Sequence, residues 1–84
     1  MRRISENKAD QEWLRQFGRN PAGLIERRGF KSPYDFWINK AGDHLSRAAL
    51  NYILAGRTDP KATTVRALAR LLGVKPSKLL DFDE

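Results

Sequence analysis

Arg47, Asn51 and Tyr52 stand at i, i+4 and i+5 in the stretch Leu45-Ser-Arg-Ala-Ala-Leu-Asn-Tyr-Ile-Leu-Ala-Gly56. At 100° per residue they fall, with Ala48 and Ala55, within an arc of roughly 140° on one side of a helix. Ala49, Leu50, Ile53 and Leu54 take the other side, with Leu45 at its margin. A helix built this way packs through one face and presents the other. The outer residues suit the edges of base pairs in a major groove, where Arg donates two hydrogen bonds to guanine and Asn pairs bidentately with adenine. Tyr52 suits a thymine methyl or a phosphate, and the small Ala48 and Ala55 let the backbone come close. An ordinary surface helix with a polar outer face carries the same pattern, so the surroundings must decide.

The elements that position this face are read from turn signals. Residues 5–17 form a helix with Ser5 as N-cap and Ala9, Trp13 and Phe17 on one side. Gly18-Arg-Asn-Pro21 reads as a break, after which Asn20 caps and Pro21 opens a second helix running through Arg28 to Gly29. Ser32-Pro33-Tyr34-Asp35 starts the next helix, Ser32 capping and Asp35 reaching back as in a capping box. That helix carries Phe36, Trp37 and Ile38 and ends near Ala41-Gly42. The helix of residues 45–55 follows. Another covers 62–72, with Val65, Leu68, Ala69 and Leu72 on one face, Arg66 and Arg70 away from it, and Gly73 as its stop. Pro76-Ser77 leads into a last turn bearing Leu79, Leu80 and Phe82. No segment alternates as a strand. The chain is expected to be all-α.

Composition narrows the partners. Eighty-four residues make one small domain with a modest core. The net charge is +6, and it is unevenly spread: residues 1–80 hold all sixteen basic side chains and seven of the ten acids, for +9. A basic body with a short acidic tail favours a polyanionic partner. There is no cysteine, so thiolate metal sites and disulfides have no material, and His44, the single histidine, reads in its turn as a surface residue or a phosphate contact rather than a general base. No glycine-rich phosphate loop and no paired acids appear. The expectation is a non-enzyme without cofactor or metal. No apolar run approaches the roughly 20 residues of a membrane span and Met1-Arg-Arg leads into no signal-peptide core, so a soluble, cytoplasmic protein is expected.

Residues 45–80 resemble the phage repressor/Cro helix-turn-helix family. The resemblance rests on the helix ending at Gly56, the basic Arg57 and nearby Pro60, then Thr64-Val65-Arg66-Ala67-Leu68-Ala69-Arg70-Leu71-Leu72-Gly73-Val74 and the Leu79-Leu80 turn. It is looser over 21–44. It implies a compact five- or six-helix bundle of the lambda-repressor-like type that binds double-stranded DNA, as a homodimer on a palindromic operator, and regulates transcription, most simply as a repressor. The base-reading positions fall on Arg47, Ala48, Asn51 and Tyr52. Phosphate-contacting positions fall on Tyr34, Ser46, Arg57, Thr58 and Lys61. Two departures stand out. Asp43 and His44 lengthen the turn before the reading helix by about two residues, and Ile38 stands where the family prefers a small residue at a close helix crossing.

Residues 1–20 lie outside the resemblance and are expected to form a basic arm (Arg2, Arg3) and an extra helix, ahead of a DNA-binding domain over 21–80 and an acidic tail over 81–84. The Trp13/Phe17 stripe has two readings. The plainer is cover for the core. The sharper is a dimer contact or a surface for a protein partner, as an antitoxin or adaptor would have.

Overall fold

The computed structural model describes residues 7–82; the expected Ser5 cap, the Arg2/Arg3 arm and the acidic Asp83 and Glu84 lie outside them. Helix α1, Lys8–Arg27, starts at Asn7, whose side chain accepts hydrogen bonds from the backbone N–H groups of Ala9 and Asp10. It runs for 20 residues without interruption, so the break expected at Gly18–Pro21 does not occur. Proline in a helix interior removes one hydrogen bond and crowds the carbonyl four residues back, at about 3 kcal/mol. The offsetting gain is visible in the spacing. Leu14, Phe17, Gly18, Pro21, Leu24 and Ile25 form one continuous buried stripe that passes through the proline. Ending the helix at residue 18 would turn half of that stripe away from the core. The helix thus carries the chain unbroken across the boundary expected between residues 20 and 21.

Asn20 takes a different part from the one expected. It caps no helix start; its side-chain amide donates to the carbonyls of Lys78 and Leu79, at 3.0 and 2.9 Å, fastening the end of the chain's last helix to α1. Asn20→Ala is expected to lower stability by about 1 kcal/mol, since both carbonyls lose a protein partner. A melting temperature lower by about 4–8 °C in a thermal scan checks this.

Helix α2, Pro33–Phe36, begins as the sequence implies, with Ser32 Oγ accepting from the N–H of Asp35. Asp35 reaches back one residue further than a capping box requires, accepting at 2.8 Å from the N–H of Lys31. The helix then widens into a π-turn over Trp37–Ala41. A π-turn closes i→i+5 rather than i→i+4 bonds and so takes in an extra residue. Here it buries Ala41 and leaves Ile38 56% exposed. Ile38 therefore enters no buried helix crossing, and the small Ala41 is the residue of this turn that joins the core.

Helix α3, Arg47–Leu54, is capped by Ser46 Oγ, which accepts from the N–H of Ala49 at 3.0 Å. It ends in a left-handed Gly56 (φ 72°), with the Gly56 N–H bonded to the Ile53 carbonyl and the Arg57 N–H to the Tyr52 carbonyl. Helix α4, Ala62–Leu72, ends the same way at Gly73, and α5, Pro76–Leu79, follows. The Arg28 guanidinium, just beyond α1, donates to the Leu72 carbonyl at 3.1 Å. Phe17, Leu24, Ile25, Phe36, Leu50, Ile53, Leu68, Leu72 and Leu79 meet in one core to which every helix contributes. The described chain is an all-α, five-helix body, as expected.

Candidate nucleic-acid interface

Helix α3 divides as its sequence implies. Leu50 and Ile53 are buried, whereas Arg47, Ala48, Asn51, Tyr52 and Ala55 are exposed on the opposite face, Tyr52 at 52%. All four residues expected to read bases thus share one open surface. Two glycines set the depth at which α3 lies against α1. A Cβ on Gly18 would stand 2.5 Å from the carbonyl oxygens of Ile53 and Leu54, and one on Gly56 would stand 2.6 Å from the Cα of Arg15. The C-terminal end of α3 is thereby pressed against the α1 backbone. Arg15 is itself held by Glu12, 2.8 Å away, and that bond keeps the Glu12 carboxyl below its ordinary pKa.

The N-terminal end of α3 is held from α2 and its π-turn. The Trp37 indole N–H donates to the Leu45 carbonyl at 2.8 Å, just before the Ser46 cap. Gly42 lies close beneath the Trp37 ring, where a Cβ would stand 3.7 Å from the indole and 3.3 Å from the Trp37 carbonyl. The Arg47 guanidinium lies over the Tyr34 ring, 4.5 Å from its centroid, and the Tyr34 and Trp37 rings are 6.0 Å apart. Two residues expected to make different contacts, Tyr34 and Arg47, are therefore one unit.

The remaining expected contacts flank this surface. Ser46 accepts through one oxygen lone pair in the cap, which leaves the hydroxyl proton available as a donor. Arg57 and Lys61 are exposed on either side of Pro60, with Thr58 half-buried between them. His44 is exposed in the turn. Trp37, Gly18 and Gly42 are site-forming residues that the sequence reading did not single out. An indole two residues from a capping box and a glycine within an amphipathic helix are the signals that were present.

Residues 40–79 match the family model described as helix-turn-helix. The match is consistent with a helix-turn-helix of the Cro/repressor type. No curated protein and no solved structure matches the chain. The helix-turn-helix family is a DNA-binding regulatory one. The matched segment begins at Lys40, inside the π-turn, and takes in α3, α4 and α5, leaving α1, Tyr34 and Trp37 outside.

The Trp13/Phe17 surface does not fare so well. Phe17 is 2% exposed and belongs to the core, so it offers no face to a partner. Trp13 is half-buried, stacked on Phe17 at 5.8 Å and packed against Phe82 at 5.2 Å. The stripe covers the core because the tail residue Phe82 folds back onto it. Among the described residues no helix is long and apolar enough to cross a membrane, and no group of three or more His, Cys, Asp or Glu is placed to hold a metal ion.

Proposed function

We propose that the protein is a sequence-specific transcriptional regulator of double-stranded DNA, most simply a repressor that occludes a promoter at the nucleoid. Helix α3 enters the major groove, with Arg47 and Asn51 donating to base edges and Ala48 and Tyr52 alongside them. A homodimer on a two-fold symmetric operator would place its half-sites about one helical turn, roughly 34 Å, apart. The observation that carries this reading is the outer face of α3: Arg47, Ala48, Asn51 and Tyr52 are all exposed on a helix whose inner face is sealed by Leu50 and Ile53. Ser46, Arg57, Thr58 and Lys61 flank it and set register through phosphates.

Affinity then comes largely from neutralised phosphates and falls steeply with salt. Arg57→Ala is the test of the flank. It is expected to weaken binding to all duplexes alike and to reduce the slope of log K against log salt by about one unit. Anisotropy titrations across a salt series measure both. A loss confined to one sequence would move Arg57 from the phosphate contacts to the base contacts.

A further inference from the structure

Arg47 is the first residue of α3 and the one best equipped to discriminate, yet an exposed arginine on a helix end is a mobile side chain with several rotamers. A carboxylate would hold it but would also occupy the N–H donors that a base needs. The structure uses a ring. The guanidinium lies 4.5 Å from the centroid of Tyr34, an attraction to the aromatic face that spends none of the guanidinium donors. Tyr34 is placed in turn. It sits in the first turn of the Ser32-capped α2, 6.0 Å from the Trp37 ring. Trp37 is tied by its indole N–H to the Leu45 carbonyl, which immediately precedes the α3 cap. The two rings of this relay therefore hold Arg47 and Leu45, the residues on either side of the Ser46 cap.

We propose that Tyr34 and Trp37 form an aromatic shelf that positions Arg47 for base reading, and that Tyr34 acts through its ring as a specificity-determining residue rather than through its hydroxyl as a phosphate contact. The inference rests on the DNA-reading role of α3. Trp37 also fastens the turn that carries Asp43 and His44, adding its bond to the Leu45 carbonyl to those that the His44 and Leu45 N–H groups make to the Ala41 carbonyl. The preferred partner of the positioned guanidinium is a guanine, whose O6 and N7 accept two hydrogen bonds from one arginine.

The test uses the full chain and the duplex that the wild type selects, together with the same duplex changed at each base pair in turn. Tyr34→Ala is expected to lower discrimination about threefold to tenfold at the one base pair where Arg47→Ala also acts, and to leave the other positions unchanged. Tyr34→Phe, which keeps the ring, should retain wild-type discrimination. The double variant Tyr34→Ala/Arg47→Ala should lose no more at that pair than Arg47→Ala alone. In the free protein, the side-chain Nε–H resonance of Arg47 should show a ring-current shift in wild type and Tyr34→Phe that vanishes in Tyr34→Ala. Equal weakening of all duplexes by both Tyr34→Phe and Tyr34→Ala would make Tyr34 a phosphate contact through its hydroxyl and overturn the proposal. So would wild-type discrimination in Tyr34→Ala. A wild-type protein that selects no duplex would instead overturn the reading of α3 itself, an outcome distinct from the other two.

Discussion

Gly56→Ala is expected to destabilise the protein by about 3 kcal/mol, and Gly73→Ala by only about 1 kcal/mol, although the two glycines share nearly the same backbone angle. Both are left-handed, with φ of 72° and 73°, and both end a helix by the same pair of hydrogen bonds. An alanine at either position incurs the left-handed penalty of roughly 1–2 kcal/mol. The difference lies in what a Cβ would meet. At Gly73 there is nothing within 4 Å, whereas at Gly56 the Cα and N of Arg15 lie at 2.6 and 2.7 Å. Backbone cannot swing aside as a side chain can, so α1 and α3 must separate, at the roughly 1–3 kcal/mol of an overpacked core or more. Urea or thermal denaturation of the two variants measures the gap. Equal losses would mean that α1 and α3 do not approach as closely as described. Gly18, whose Cβ would stand 2.5 Å from two α3 carbonyls, forms the other half of this contact.

Arg47→Ala is expected to cost about 1–3 kcal/mol of binding to the preferred duplex, and to remove that preference at a single base pair. Arg47 is exposed, and its partner in the free protein is the Tyr34 ring. Its removal should therefore change folding stability by no more than about 1 kcal/mol, the scale of an exposed cation–π contact. This separates a reading residue from a structural one. Asn51→Ala should relax a different base pair by a similar amount, because Asn51 lies one turn further along the same exposed face. Competition titrations with singly substituted duplexes check both variants. Uniform weakening across all duplexes would place the pair among the phosphate contacts.

Much of this architecture could be read from residue types. The exposed and buried sides of α3 follow its 3.6-residue period, and α4 keeps Leu68, Ala69 and Leu72 inside with Arg66 and Arg70 out. Gly56 and Gly73 stop helices where they were expected to. These are local signals, settled within a turn or two of chain. Most of the misreadings involve partners distant in sequence. Gly18-Arg-Asn-Pro21 carries every local mark of a break, but the stripe from Leu14 to Ile25 gains more from burial than the missing proline bond costs. Asn20 resembles an N-cap until the carbonyls of Lys78 and Leu79, nearly sixty residues on, come within reach. Phe17 could line a surface or a core, and the return of Phe82 decides for the core. The π-turn depends on how Trp37 and Ala41 are accommodated together, which no periodicity encodes.

For the candidate site, the membership of the open α3 face was legible and its orientation was not. Arg47, Ala48, Asn51 and Tyr52 share one open face because a helix of any orientation would put them there. The angle of that helix is fixed by Gly18 and Gly56 at one end and by Trp37 and Tyr34 at the other. Three of these four lie outside the segment that matches the helix-turn-helix model.

The central claim, that the outer face of α3 reads base pairs, is tested most directly by selecting preferred duplexes from a random pool with the wild-type chain. The account predicts an enriched motif containing a guanine that Arg47 recognises and an adenine that Asn51 recognises, arranged as an inverted repeat with half-sites about one helical turn apart. A pool that emerges without sequence enrichment, although it binds at low salt, would contradict it.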